Sequence, residues 1–346
     1  MDFIKRMEHF KVPGMSATVI DNGKIIETKT EGILEKGDKK NVDSSSIFHA
    51  CSMSKMITAI CVLRLSQENK LDLTKNVNEY LSTWKIPDNE FTVNTKVTLS
   101  NLLAHQAGFY DVDGSFGHYQ KGDNVPSNLD ILRGVTKYNP EKLEVKYEPE
   151  TDFCYSDAGY VVIHQVLNDV FGKSIAQIAQ ELIFDPLKLK NIFFWKVGEI
   201  FLKNDLDVNL VAGHDSDGNL VPEIRASYVN VEGAALWSTT NDLAKILIDM
   251  MESLDGNGII LNKETTQKMI TPFGCDEAAG LGIFLDYDEN GEKYFMSQGW
   301  GIGMQSKLRA YPQRKKGVVV MTNSEPGIEQ DLSLVGEVIN HFMNQY

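Results

Sequence analysis

The chain has 346 residues, with 34 Lys and Arg against 48 Asp and Glu, a formal net charge of −14. A nucleic-acid binder needs a basic face to neutralise phosphates, and an anionic membrane surface repels an acidic protein, so the charge argues against both partners. Hydrophobic residues make up 42%, which fits a globular protein of one large or two interlocked domains and not a disordered chain.

No apolar run approaches the ~18 residues of a membrane span; Ala59–Leu63 is broken at once by Arg64. The first thirteen residues carry Asp2, Lys5, Arg6, Glu8 and Lys11 and hold no apolar stretch of a signal peptide. The expected location is the cytoplasm, or outside it if a leader has been removed. Cys51, Cys61, Cys154 and Cys275 stand apart without a C-x-x-C pair, which argues against a disulfide framework or a zinc ribbon.

In chain order, Ser16–Ile20 and Lys24–Thr28 flank Asn22-Gly23, a hairpin signal because a type I′ turn needs positive φ at both central residues. Ser52 to about Leu65 reads as a helix with a broad apolar face from Met56, Ile57, Ile60, Leu63 and Leu65. The stretch from Asp72 to Trp84 reads as short helix and loop, ending near Pro87. Asp111–Asn128 is polar and irregular, as functional rims often are. A helix is predicted over Gly159–Val170 with a C-cap at Phe171-Gly172, and another over Ile175–Ile183, stopped at Asp185-Pro186. Asp215–Asn219 reads as a turn. Asn241–Met251 is predicted helical with Asn241 as N-cap. Strands follow at Leu281–Leu285, Lys293–Ser297, Met304–Ala310 and Gly317–Thr322, with Asp286–Gly291 a hairpin tip, and a last helix spans about Ile328–Phe342. Strands at both ends with helices between predict a mostly antiparallel sheet assembled from both ends.

Two short segments carry candidate chemistry. In Ser52-Met53-Ser54-Lys55 a serine opens the apolar helix, and a lysine three residues on lies one turn away on the same face. A desolvated Lys55 amine would take the serine proton; the plain alternative is an N-cap followed by a solvated lysine. In Tyr155-Ser156-Asp157, a phenol beside an ammonium has its anion stabilised and can act as general base and acid. The alternative is a buried tyrosine tied to backbone.

Together these segments resemble the serine β-lactamase and penicillin-binding-protein superfamily, in its class C β-lactamase-like branch with esterases and D-peptidases. Ser52–Lys55 matches S-x-x-K. Leu102–Phe109 is similar to L-L-x-H-x-S-G-L, Pro149–Tyr160 to P-G-x-x-F-x-Y-S-N-x-G-Y, Gly233–Ala244 to G-G-L-x-S-T-x-x-D-L-A, and Ser297–Met304 to H-x-G-G-x-P-G-F, all in the family's order. The chain departs from the pattern twice. Ser297 replaces a Lys or His, so the strand lacks that charge but keeps a hydroxyl for substrate or Tyr155. Asp157 replaces Asn, and a carboxylate there would raise the Lys55 pKa and shift the basic role to Tyr155, or bind a substrate amine. Another register reads Ser156-Asp157-Ala158 as a degenerate S-D-N motif; the flanking Phe153 and Gly159-Tyr160 favour Tyr155.

The resemblance implies an α+β, β-lactamase/transpeptidase-like fold: an antiparallel sheet flanked by helices, from residues 1–75 and 215–346, with an inserted mostly helical domain, 76–214, and the site in the cleft. It implies Ser52, Lys55 and Tyr155 as catalytic residues, an oxyanion hole from the N–H groups of Ser52 and Trp300, and substrate contacts from Asp157, Ser297 and Gly299, the last admitting close approach. No cofactor or metal is expected. The expected partner is a small ester, amide, β-lactam or short peptide; a β-lactamase or D-peptidase stands level with a small-ester or amide hydrolase or acyltransferase, against a non-catalytic penicillin-binding or scaffold module. Oligomeric state is left open. None of the seven histidines forms a metal-ligand pair, and His105 is read as structural. Asp111, Asp113 and Asp123 are read as a solvated rim, Cys51 and Cys154 as small inert neighbours, Trp237 and Trp300 as pocket walls, and Trp84 and Trp195 as core.

Overall fold

The computed structural model describes residues 1–195 and 209–346; the stretch 196–208 of the expected inserted segment lies outside the described residues. Strand β1 (Gly14–Asp21) turns into β2 (Lys24–Gly32) through Asn22 and Gly23, whose φ values of 48° and 70° are those a type I′ turn demands. The other strands are β3 (Phe48–Cys51), β4 (Ile192–Phe194), β5 (Leu236–Ser238), β6 (Phe284–Tyr287), β7 (Lys293–Gly301), β8 (Met304–Tyr311) and β9 (Lys316–Thr322). Both chain ends build one antiparallel sheet in the order β2-β1-β9-β8-β7-β6, and a second sheet runs β3-β5-β4.

Period-two alternation splits the large sheet between two apolar layers. Met15, Ala17, Val19, Val318 and Val320 face the terminal helices Phe3–Phe10 and Leu334–Gln345 through Met7, Phe10, Val335, Val338 and Phe342. Val319, Met321, Leu308 and Ile20 face the larger core, which includes the helix Ser54–Gln67. That helix is buried on nearly every side, Ser54 through Leu63 included, so it is the central strut of the molecule and not an amphipathic surface helix.

Several boundaries differ from the sequence reading. The central helix starts at Ser54, leaving Ser52 in the turn before it. Thr239, not Asn241, caps the helix Thr240–Leu254 by accepting the Asp242 N–H; the Asn241 carboxamide oxygen instead accepts from Thr18 and Thr28 of the large sheet. Residues 281–283 bend before β6, because Gly282 takes φ +77° with its α-carbon close against Ala59. The segment after Ile175 is an α-turn to Ala179 that widens into a π-turn over Gln180–Phe184. The last helix begins at Leu334, after a short 3-10 turn at Gln330–Leu332. No helix among the described residues is long and apolar enough to cross a membrane.

Candidate active site

Strand β3 ends in a strained turn. Cys51 sits at φ 50°, a left-handed conformation costly for a residue with a side chain. The turn lifts Ser52 out of the strand and is clamped by Ser54, whose hydroxyl donates to Cys51 O (2.6 Å) and accepts from Leu236 N (2.9 Å). The two serines of the motif thus differ: Ser54 is buried and occupied, while Ser52 is partly open.

One helical turn on, Lys55 is buried. Its Nζ donates to Asp157 Oδ1 (2.6 Å), to Gly233 O (3.0 Å) and to Ser52 Oγ (3.3 Å). An ammonium has three protons and no lone pair, so these three acceptors describe a charged lysine that donates to Ser52. Burial alone would lower the Lys55 pKa, but the charges of Asp157 and Tyr155 outweigh it and hold the amine above its ordinary value. The ammonium also lies over the rings of Tyr155 (4.9 Å) and Tyr160 (5.4 Å).

Tyr155 leaves 38% of its surface open. Desolvation around its hydroxyl nevertheless pushes the phenol up, against the pull of Lys55 and of a hydrogen bond with Ser52, and with help from Asp157. Its ring packs on His105 at 4.4 Å between centroids. His105 is buried, its Nδ1 accepts the Ser156 N–H (3.1 Å), and burial beside Lys55 lowers its pKa to about 3. It is a neutral support under Tyr155. Ser156 caps the helix Asp157–Phe171 and donates to Asp111 (2.8 Å), so its hydroxyl is already engaged, unlike that of Tyr155.

Strand β7 forms the facing wall. β6 pairs with it only as far as Met296, so Ser297–Gly301 keeps one edge unpaired by that neighbour. A Cβ on Gly299 would meet Ala50 O at 2.3 Å, Ser306 Oγ at 2.6 Å and Cys51 Cβ at 2.9 Å, so only glycine lets this strand lie against the turn that carries Ser52. Ser297 is buried and makes no hydrogen bond to Tyr155 among the described residues. Trp300, 41% exposed, stands at the rim with its indole N–H donating to Glu325 (3.3 Å). Trp237 is no pocket wall: it is fully buried, stacked on His49 and in tilted contact with Trp195. Trp84 and Trp195 pack against the core as half-buried rings.

Three contributors were missed in the sequence: Asn230 and Glu325 were not singled out, and Asp111 was read as solvated rim. Asn230 donates to Asp157 Oδ1 (3.0 Å) and accepts the Gly233 N–H (3.1 Å), tying two of the three Lys55 acceptor residues together. Asp111 is no part of a solvated rim. It accepts from Ser156 Oγ (2.8 Å), Asp157 N (2.6 Å) and Ala158 N (3.1 Å), anchoring the helix N-terminus that presents Asp157. Burial and the Asp157 charge push its carboxyl up. Glu325 is the third; its signal would have been a lone carboxylate just beyond the final strand. Cys51 is buried and its thiol is pushed up, whereas Cys154 is only partly buried. Among the described residues no group of His, Cys, Asp and Glu is arranged to hold a metal. A groove of about 500 Å³ between Ile4, Met7, Val12 and Ile33 lies away from this cluster and carries no nucleophile with a base beside it.

The Beta-lactamase family matches residues 3–337. An N-acetylmuramyl-L-alanine amidase of Bacillus subtilis is 23% identical, over 90% of this chain and 77% of the relative. A teichoic acid D-alanine hydrolase of Staphylococcus aureus is 26% identical over 68% of this chain, which spans about half, 54%, of that relative. In structure, a β-lactamase/D-alanine carboxypeptidase of Yersinia pestis, solved with citrate, superposes with a TM-score of 0.76 at 16% identity, covering 98% of this chain and 94% of the other. The likeness to that solved structure concerns the fold, and the match from the first helix to the last settles the lineage: the chain belongs to the β-lactamase family of serine hydrolases.

Proposed function

We propose that the protein hydrolyses small acyl compounds through an acyl-enzyme on Ser52. The observation that carries this reading is the 3.3 Å contact from a fully engaged Lys55 ammonium to an accessible Ser52 hydroxyl, with Tyr155 interacting with both. Because Lys55 donates, it acts as the fixed charge, and Tyr155 is the group that moves the proton. Ser52 Oγ attacks the carbonyl carbon as its proton passes to the oxygen of Tyr155 in its phenolate form, and the N–H groups of Ser52 and Trp300 hold the resulting oxyanion. Tyr155 returns the proton to the departing alcohol or amine. Water then attacks the ester, giving up a proton by the same route, and Ser52 leaves as the hydroxyl with release of the acid. In this reading residues 1–75 with 215–346 carry the nucleophile and β7, and the segment 76–214 supplies Tyr155 and Asp157.

Ser297 gives no charge to grip a substrate carboxylate, which favours esters and amides over carboxylate-bearing β-lactams and D-peptides. The test is intact mass after exposure to a penicillin and, separately, to an activated acyl ester. Ester turnover or an acyl adduct that disappears in Ser52→Ala supports the reading; turnover that survives the substitution, or none with either reagent, refutes it.

A further inference from the structure

The carboxylate of Glu325 is the outlying charge of this site. It follows β9, and its backbone N–H donates to His214 O (3.0 Å), which fixes the segment against the body of the protein. The side chain is half-buried at the open end of the β7–β8 hairpin, where it accepts from the Trp300 indole (3.3 Å) and from the Gly303 N–H. The same hairpin end is held by Tyr228, whose hydroxyl accepts the Ile302 N–H (2.8 Å) and approaches Gly301. Cys51, the residue before Ser52, lies under Gly301 and feels the Glu325 charge directly.

Among the described residues no Lys or Arg forms an ion pair with Glu325; the His118 side chain, itself within 3.1 Å of Glu223, lies within electrostatic reach of it. Asp157, by contrast, is matched by Lys55. Asp111 also lacks a cation but is taken up by the Ser156 hydroxyl and the N–H groups of Asp157 and Ala158; Glu325 is the carboxylate without a Lys or Arg partner that borders an exposed indole, whose face can cover an ammonium. Two residues back along β7 from Trp300, the Gln298 side-chain carboxamide oxygen is buried without a donor, a second acceptor on the strand that carries the oxyanion donor.

Resting on the acyl-enzyme reading above, we propose that Glu325 is a specificity-determining residue and that the preferred acyl donor carries a protonated amine near the scissile carbonyl, as an aminoacyl ester or amide does. Glu325 and Trp300 bind the ammonium while Ser52 attacks the carbonyl. The inverted polarity explains the uncharged Ser297: a lysine on β7 would repel the same group.

The test compares kcat/KM for 4-nitrophenyl esters of alanine, in both enantiomers, and of propionic acid, which has the same skeleton without the amine. An ammonium activates its own carbonyl, so the diagnostic is the change in the alanyl-to-propionyl ratio between the protein and Glu325→Gln. The expected change is a fall of about tenfold, the loss of one charge-assisted contact, and a larger fall in Glu325→Lys. A ratio depends on neither the folded fraction nor the active concentration, so a poorly folding variant still gives an answer. Propionyl turnover that needs Ser52, with the same ratio in protein and variants, overturns the role of Glu325 and leaves the serine-hydrolase reading standing. No Ser52-dependent turnover of either ester overturns both.

Discussion

A buried lysine normally loses its proton, and Lys55 keeps it because every one of its protons has an acceptor: Asp157, Gly233 and Ser52. Asp157 does two things at once. Its charge favours the ammonium of Lys55 and disfavours the phenolate of Tyr155, so it raises both groups. Removing the charge therefore lowers both, and each gives up its proton at lower pH. In Asp157→Asn the ascending limb of kcat/KM against pH, measured with an activated ester, should move toward acid by about one unit. The carboxamide keeps the shape and can still receive Asn230, so folding is little disturbed. A limb that stays in place would show that neither Lys55 nor Tyr155 is the group titrating. At this scale the sequence showed the residue types but not their states. Ser52, Lys55, Tyr155 and Asp157 were legible as motif positions; Asp111, Asn230 and Glu325 were not, because the contacts that bring them into the site join residues far apart in the chain with no periodicity to mark them.

Among the elements, β7 has the tightest fit. Its glycine at 299 lies against Ala50 and Cys51 so closely that one added carbon would collide with backbone oxygen at 2.3 Å. A backbone atom inside a turn held by Ser54 cannot swing aside as a flexible side chain does. In Gly299→Ala the strand must withdraw from the Ser52 turn, at a cost of about 1–3 kcal/mol. The expected result is a lowered unfolding midpoint together with at least a tenfold loss of Ser52 acylation rate, read by intact mass against time. Wild-type acylation in a folded variant would mean that β7 does not set the geometry of the site. Elements defined by local chemistry were legible in the sequence: the Asn22-Gly23 hairpin and the apolar central helix needed nothing beyond neighbours. The caps and ends were shifted where tertiary contacts decide. Asn241 has the chemistry of an N-cap, but Thr18 and Thr28 claim its side chain, and Thr239 takes the position. The bend before β6 exists because Ala59 of the central helix presses on Gly282, a contact invisible to strand propensity.

For the molecule as a whole, helices pack on both faces of the large sheet, and two imidazoles are buried in the interior as neutral rings. His49 Nε2 donates to Ala234 O (2.6 Å) between the rings of Tyr228 and Trp237, and burial lowers its pKa to about 4. His105, under Tyr155, is lowered to about 3. Both start from an ordinary value of 6.5, so below that pH the unfolded chain binds protons that the folded chain refuses. Stability is then full above pH ~6.5 and falls as the solution is acidified toward the folded-state values. His214, also lowered by burial, acts with the same sign. At pH 5.5, above the ordinary range of carboxylates, the buried histidines should make unfolding take up about two protons, and the unfolding free energy should fall by ~2.5 kcal/mol per pH unit. Chemical unfolding at closely spaced pH values measures this slope. In His105→Asn, whose carboxamide oxygen can accept the Ser156 N–H in place of Nδ1, one of those protons is lost and the slope should drop to about half. An unchanged slope in that variant, or a flat profile between pH 5 and 6.5 in the parent, would mean that these rings are protonated in the folded protein. The supports of Tyr155 and of the Ser52 turn would then carry charge at the pH where the enzyme works, and the electrostatics that hold Lys55 as an ammonium would have to be drawn again.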